Sequence, residues 1–149
     1  MRKQQSGFTL IELISVIVIL GILSAFAIPR FANLETQARA ASVEGLGGAM
    51  RSASALAHAV WLASGATAGN SDVTMEGSVV NLVDGYPTSA SILSALQGNP
   101  LTEGYRLTLS GRYTVDGVNG ANEDACAVLF TNGSGSTPPT IQIVTSDCN

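Results

Sequence analysis

Charged residues are scarce in this chain. Asp, Glu, Lys and Arg make up 12% of its 149 residues, about half the share that is usual in a soluble globular protein. A chain with so few solvating side chains is not built as an ordinary water-exposed globule. The basic residues do not form the clustered basic face that binds nucleic acid. We therefore expect no nucleic-acid partner.

Histidine is nearly absent, and this argues against catalysis. His58 is the only one, so no second imidazole can complete a metal site or a proton relay. The stretch Gly45-Leu46-Gly47-Gly48 lacks the preceding strand and the G-K-[ST] ending of a phosphate loop. Aromatic residues, at 5%, are too scattered to suggest an electron path. The sequence predicts no enzyme, no cofactor and no metal, and His58 is interpreted as structural or solvent-facing.

Only two cysteines occur, Cys126 and Cys148, and they do not form a C-x-x-C motif. The simplest interpretation is one disulfide, formed in an oxidising compartment. Two buried free thiols are the alternative.

One feature that is abundant is an uninterrupted apolar run. Residues 8–28 contain a single charge, Glu12, and roughly 20 such residues are enough to cross a bilayer as a helix. Arg2 and Lys3 precede the run. By the positive-inside rule they keep the N-terminus in the cytoplasm, so that everything after Ile28 crosses the membrane.

Three other interpretations of this run compete. The Ala25-Phe26-Ala27 pattern fits a secretory signal with a mature start at Ile28, but the run exceeds the roughly 7 to 15 residues of a signal core. A plain membrane anchor leaves Glu12 unexplained, since a charge at the centre of a membrane helix costs roughly 2.5 to 3.5 kcal/mol. The basic flank and the length of the run argue against a buried core helix of a soluble protein.

The N-terminus resembles the signature of type IV prepilins. Residues 1–7 form a short basic leader that ends in Gly, and the motif Phe8-Thr9-Leu10-Ile11-Glu12 follows. The resemblance implies that a prepilin peptidase cuts after Gly7 on the cytoplasmic side and methylates the new N-terminal Phe8. It covers about the N-terminal third of the chain. Pilins, minor pilins and type II secretion pseudopilins share this signature.

The resemblance also assigns roles within the apolar helix. Glu12 would face the ammonium group on Phe8 of a neighbouring subunit in a helical filament. Gly21 and Pro29 would mark a stretch that loses helical structure when subunits pack, because Pro lacks an amide donor and weakens a helix interior by roughly 3 kcal/mol. Simple tolerance of Gly and Pro in a membrane helix is the alternative.

Cleavage would change the charge of the protein. The chain has seven basic and eleven acidic residues, and the leader contains two of the basic ones, Arg2 and Lys3. The mature side chains would therefore have five basic against eleven acidic residues, a balance of −6. We expect an acidic filament surface.

Four segments are predicted along the chain. They are the leader (1–7), a transmembrane or filament-core segment (8–29), a continuation of the helix packed on the head (30–64), and a globular head (65–149). Apolar residues at three- and four-residue steps predict that the helix continues beyond the bilayer. Trp61, near the end of this stripe, is interpreted as a core anchor.

The head is predicted to contain short strands separated by turn-forming residues. We expect strands at 78–83, 105–109, 112–115, 125–131 and 140–145. A short helix is predicted at 89–96, capped by Thr88 or Ser89. The predicted class is α+β: a long N-terminal helix packed against an antiparallel sheet, with a connecting loop and a C-terminal disulfide-bounded region, as in the pilin fold.

Two loops carry possible binding motifs. The oxygen-rich residues of the first loop, which calcium could use, are Asp116, Asn119, Asn122, Glu123 and Asp124. Their spacing does not match an EF-hand, so a solvated turn is preferred. The second motif, Asn132-Gly133-Ser134, fits a glycosylation sequon, but Asn-Gly is also a common hairpin turn, which we prefer.

A second resemblance, to mannose-sensitive haemagglutinin-type pilins, rests on two short segments. They are Leu56-Ala57-His58-Ala59 and Gly85-Tyr86-Pro87-Thr88. The major pseudopilin of type II secretion usually lacks a C-terminal disulfide pair. Cys126 and Cys148 instead match the cysteine-bounded C-terminal loop of type IV pilins.

These observations predict a structural subunit of a type IV pilus that acts in adhesion or motility. A minor pilin or a pseudopilin is the alternative, and a secreted binding module with a removable signal is a third hypothesis. The expected source is a Gram-negative bacterium, with the precursor in the inner membrane, its head periplasmic, and the mature protein in an extracellular pilus. The expected partners are copies of the same chain, the prepilin peptidase, the inner-membrane assembly machinery, membrane lipid before assembly, and an unidentified surface receptor.

Overall fold

A computed structural model describes residues 7–66, 69–109, 111–118, 120, 123–134 and 137–149. The leader charges Arg2 and Lys3 lie outside these residues. The chain forms two compact units, one ending at Glu35 and the other beginning at Thr36. Each is described by itself below.

One long helix, α1, runs over Leu10–Ala63 and contains 54 residues. Its residues are mostly Ala, Leu and other good helix formers, and it passes through both Gly21 and Pro29. The predicted long N-terminal helix is confirmed. The predicted weakening at Gly21 and Pro29 concerns the filament and stays a prediction.

In the second unit α1 buries one face against the head. The buried residues recur at the three- and four-residue steps of an amphipathic helix, and they are Val43, Leu46, Met50, Ala53, Ala57 and Trp61. Trp61 belongs to the main hydrophobic core, as predicted.

The first sheet has three antiparallel strands in the order β1-β2-β3. These strands are β1 (Asn70–Met75), β2 (Ser78–Val83) and β3 (Tyr86–Pro87). Strand β2 was predicted, whereas β1 and β3 were not. The turn between β1 and β2 places Glu76 and Gly77 at positive φ (48° and 80°), as a two-residue type I′ hairpin turn requires.

The second sheet has four antiparallel strands in the order β4-β5-β6-β7. These strands are β4 (Tyr105–Leu109), β5 (Arg112–Val115), β6 (Cys126–Thr131) and β7 (Thr140–Thr145). All four were predicted, and β6 begins one residue later than expected. The described residues of the head thus form two antiparallel sheets, where one was predicted.

The predicted helix at 89–96 is wrong in type and extent. The chain forms a single turn of 3₁₀ helix, Ile92–Ala95, and a second one follows at Pro100–Thr102. The Ser91 hydroxyl donates to Asn81 O at 2.6 Å and accepts from the Thr88 amide at 3.1 Å. Ser91 therefore ties this turn to β2 instead of capping an α-helix.

The core of the head lies among α1, the two sheets and the first 3₁₀ turn. Its largest fully buried side chains include Tyr113, Met50, Leu82, Ile92 and Val128. Cys126 and Cys148 form a disulfide and are buried with them. The predicted disulfide is confirmed.

Candidate functional site

The residues before α1 leave the predicted cleavage point outside the helix. Gly7, Phe8 and Thr9 are not helical, and the Phe8 side chain is 90% exposed. The Gly7–Phe8 peptide bond is therefore not engaged in helical structure. A peptidase could approach it without first unwinding α1.

Thr9 and Glu12 form a capping box at the start of α1. The Thr9 amide and hydroxyl both donate to Glu12 Oε2, at 2.9 and 2.7 Å. The Glu12 amide donates back to Thr9 Oγ1 at 3.3 Å. Two amides that would lack partners at the helix start are thus satisfied reciprocally. This role of Thr9 was not predicted, although the T-x-x-E pattern is the usual signal of a capping box.

The first unit exposes nearly all of its large apolar side chains. In its described residues, 7–31 and 33–35, the exposed ones include Phe8, Leu10, Ile11, Leu13, Ile14, Val16, Ile17, Val18, Ile19, Leu20, Ile22, Leu23, Phe26 and Ile28. A monomeric soluble protein rarely exposes a contiguous apolar surface of this extent. The surface therefore needs lipid or other protein chains as its surroundings.

By length and composition α1 is able to cross a membrane. The apolar helix of a cleavable secretory signal is also long and apolar enough to meet this criterion. The exposed surface and the capped Glu12 are the more specific observations.

The acidic loop of the head is held by arginines. Arg106 pairs with Glu123 at 2.8 Å, and Arg112 pairs with Asp124. A guanidinium beside each carboxylate disfavours a cation there. The described part of the chain holds no group of three or more His, Cys, Asp or Glu residues suited to a metal ion. Two further candidate ligands, Asn119 and Asn122, lie outside the described residues.

His58 has a structural role. Its Nδ1 lies 2.9 Å from Gly85 O, and a carbonyl only accepts, so Nδ1 is the donor. The imidazole stacks on Tyr86 at a centroid distance of 4.2 Å and on Trp61 at 5.5 Å. The contacts with Gly85 and Tyr86 connect α1 to β3 and to the residue before it.

The motif Asn132-Gly133-Ser134 lies in the connection between β6 and β7, where a turn was preferred to a glycosylation site. The two strands pair up to Thr131 and Thr140, and within the connection Ser134 forms an isolated antiparallel bridge with Thr137. Asn132 Oδ1 accepts from the Ser89 amide at 2.6 Å. The side chain of Asn132 thus ties this loop to the segment that follows β3.

A family model described as the prokaryotic N-terminal methylation motif matches residues 2–28. Over 51 residues the chain is 59% identical to the "Type IV narrow pilus major component PilA5" of Thermus thermophilus, covering 34% of this chain and 44% of that protein. Over 44 residues it is 50% identical to the "Type II secretion system core protein G" of Pseudomonas aeruginosa, covering 30% and 31%. These matches span less than half of each relative.

A third comparison extends into the head. The "Type IV major fimbrial protein FimA" of Dichelobacter nodosus is 32% identical over 139 residues, covering 91% of this chain and 72% of that protein. The chain belongs to the type IV pilin family. No solved structure matches the pilin chain significantly. The resemblance seen at the N-terminus is therefore confirmed by similarity that also includes the head.

Membership in the pilin family fits what the structure shows. The chain combines one long N-terminal helix, antiparallel sheets and a disulfide between Cys126 and Cys148. The matched motif contains the predicted cleavage point and Glu12. The N-terminal helix of this pilin is thus the candidate functional site.

Proposed function

We propose that this pilin is the structural subunit of a type IV pilus filament and assembles through the apolar surface of its N-terminal helix. The observation that carries the proposal is that surface, exposed in the first unit of a chain of the type IV pilin family. The proposed segments are a leader (1–7), a transmembrane or filament-core segment (8–29), a continuation of the helix (30–64) that packs on the head from Thr36 onward, and the head itself (65–149).

The proposed life cycle begins in the inner membrane of a Gram-negative bacterium. Arg2 and Lys3 hold the leader in the cytoplasm, and the head lies in the periplasm. Prepilin peptidase cuts between Gly7 and Phe8 and methylates the new terminus. Support for this step comes from the methylation motif and from the position of the Gly7–Phe8 peptide bond outside α1. The apolar surface then exchanges lipid for the helices of other copies, a step that requires the assembly machinery of the inner membrane.

Glu12 has two proposed partners in succession. Before assembly its carboxylate accepts hydrogen bonds from the Thr9 amide and hydroxyl, so the charge is hydrogen-bonded within its own chain. After cleavage Phe8 has an ammonium group, and one methyl group preserves its charge. In the filament, Glu12 pairs with the ammonium of a neighbouring subunit, because a buried carboxylate needs an opposite charge.

The filament has no catalytic role in this proposal. It acts in adhesion or motility through its heads, with a surface receptor whose identity is not assigned and with no nucleic-acid partner. Membership of the mannose-sensitive haemagglutinin-type group stays a prediction. So does the loss of helix between Gly21 and Pro29 in the filament.

The test is to shear filaments from the cell surface and to measure the mass of the subunit and of its N-terminal peptide. We expect this chain as the main component, starting at methylated Phe8. An intact Met1 terminus, or a start at Ile28 as for a secretory signal, contradicts the proposal.

A pseudopilin of type II secretion is the second candidate, favoured by the 50% identity to the core protein G over 44 residues. The two candidates differ in what a deletion strain loses. A filament subunit is required for surface filaments, whereas a pseudopilin is required for export of secreted enzymes. Normal filaments with failed secretion would favour the pseudopilin.

A further inference from the structure

The segment after β7, residues 146–149 (the tail segment), is tied down at successive residues. The Asp147 amide donates to Ala125 O at 3.1 Å. Cys148 is closed into the disulfide and is 1% exposed. The amide and the side-chain Nδ2 of Asn149 both donate to Asp147 Oδ1, at 3.3 and 2.8 Å. The tail segment therefore holds a fixed position on the head.

Two of these residues bond to α1. The Thr36 hydroxyl donates to Asn149 Oδ1 at 2.8 Å, across 113 positions of sequence. The Arg39 guanidinium donates to Cys148 O at 3.3 Å, across 109 positions. Residues three apart lie on the same face of a helix. The tail segment is thus hydrogen-bonded to one turn of α1 at two residues.

This turn is the first one of the second unit, which begins at Thr36. Between residues 36 and 42 every side chain is exposed or only half-buried, so apolar burial holds this stretch weakly. Further along α1, the Tyr105 hydroxyl donates to Ser42 O at 3.0 Å, and Val43 is fully buried. Polar contacts are therefore needed to hold the helix to the head before residue 42.

We propose that the tail segment is a clamp that sets the N-terminal limit of the helix held by the head. Thr36 and Arg39 are the residues of α1 that it grips. The inference concerns a single subunit, and it rests on the proposed function only for one consequence. In a filament, the clamp confines any loss of helix to residues before Thr36.

The test is amide hydrogen exchange on the full-length subunit in detergent micelles. The amides of residues 40–43 donate to the carbonyls of residues 36–39, so they report opening of the clamped turn. Thr36→Val removes the hydroxyl at nearly constant volume, and Asn149→Ala removes its acceptor. Each should speed exchange at 40–43 by about five- to tenfold, the effect of losing the hydrogen bond between Thr36 and Asn149. Asn149→Ala also removes the Nδ2 bond to Asp147, so the double variant should exchange no faster than Asn149→Ala alone.

Two controls keep the test specific. Thr36→Ser keeps the hydroxyl and should leave residues 40–43 protected. Ser52→Ala removes a hydroxyl that bonds within the helix, to Gly48 O at 3.1 Å, and should also leave them protected. Unchanged exchange at 40–43 in either Thr36→Val or Asn149→Ala would overturn the clamp, as would equal acceleration along all of α1. Filament yield plays no part in this measurement, so failure of the filament proposal leaves it intact.

Discussion

At the scale of single residues, Glu12 links the local structure to the proposed assembly. Its carboxylate is satisfied by Thr9 within the same chain. The capping box therefore lets a carboxylate lie in an apolar segment before any partner subunit arrives. In the proposed assembly these hydrogen bonds would compete with the ammonium group of the neighbouring subunit.

Glu12→Ala should abolish filament assembly while leaving the subunit in the membrane. The substitution removes the attraction for the neighbouring ammonium and makes the helix more apolar, so insertion and leader cleavage should be largely intact. The measurement compares the amounts of subunit in membrane and sheared-filament fractions. Glu44→Ala, which removes an exposed carboxylate elsewhere on α1, should assemble normally. Wild-type amounts of filament from Glu12→Ala as the sole subunit would refute the role.

Tyr113 should make the stability of the head fall at alkaline pH. Burial raises the pKa of its hydroxyl above the ordinary value of about 10, and this hydroxyl donates to Ser89 O. A raised pKa means that the folded state binds the proton more tightly than the unfolded state does. The contribution of the protonated Tyr113 hydroxyl to the stability of the head is therefore fully present below pH about 10. It is lost as the pH rises through the folded-state pKa.

The measurement is the urea midpoint of the head between pH 8 and 11, in steps of about one pH unit. Tyr113→Phe has no proton to lose at this position and should show a smaller alkaline decline, although it is less stable at pH 8 because Ser89 O loses its donor. Equal alkaline declines in the two proteins would show that Tyr113 does not control this dependence.

At the scale of elements, the disulfide connects β6 to the tail segment. It joins residues 22 positions apart, and a closed loop of this length stabilises a fold by roughly 3 to 4 kcal/mol in the chain-entropy model. Both sulfurs are buried. The disulfide therefore supports the four-stranded sheet and also holds Cys148 at the position where it meets Arg39.

Cys126→Ala should lower the free energy of unfolding of the head by about 2 to 5 kcal/mol. Trp61 is the only tryptophan and lies in the core, so its fluorescence can follow urea unfolding. Cys148→Ala should cost a similar amount, and the double variant little more, because each single change already breaks the bond. Thiol labelling of both cysteines in the native protein would contradict the disulfide.

At the scale of the whole molecule, the net charge of the filament can be measured directly. Side chains after the predicted cleavage point carry a balance of −6. Sheared filaments should therefore migrate to the anode at pH 7. Adding 0.5 M salt should reduce their mobility, because salt screens the charge and shortens the Debye length to a few Å, towards about 3 Å at 1 M. Electrophoretic light scattering measures both effects. Positive mobility at pH 7 would contradict the predicted acidic filament surface, because the chain is net negative even with its leader, at −4.

Patterns of neighbouring residues determined the parts of this protein that could be predicted. The apolar run, the basic leader and the motif that ends at Glu12 are consecutive in sequence, so the long helix, the candidate site and the family could be predicted from the chain alone. Short runs between turn-forming residues likewise predicted five of the seven strands in the described part of the chain. Helix period, strand period and turn chemistry are local properties, and a sequence displays them directly.

Tertiary structure decided what depends on distant partners. Strand β1, Asn70–Met75, has only two apolar residues, Val73 and Met75, and it forms because β2 pairs along its whole length. The expected helix near Ser91 became a 3₁₀ turn because that hydroxyl bonds to Asn81 O in β2. The contact of Thr36 with Asn149 spans 113 positions. No local pattern marks such a contact, because a side chain's hydrogen-bonding partner is set only when the folded backbone brings the two groups within bonding distance.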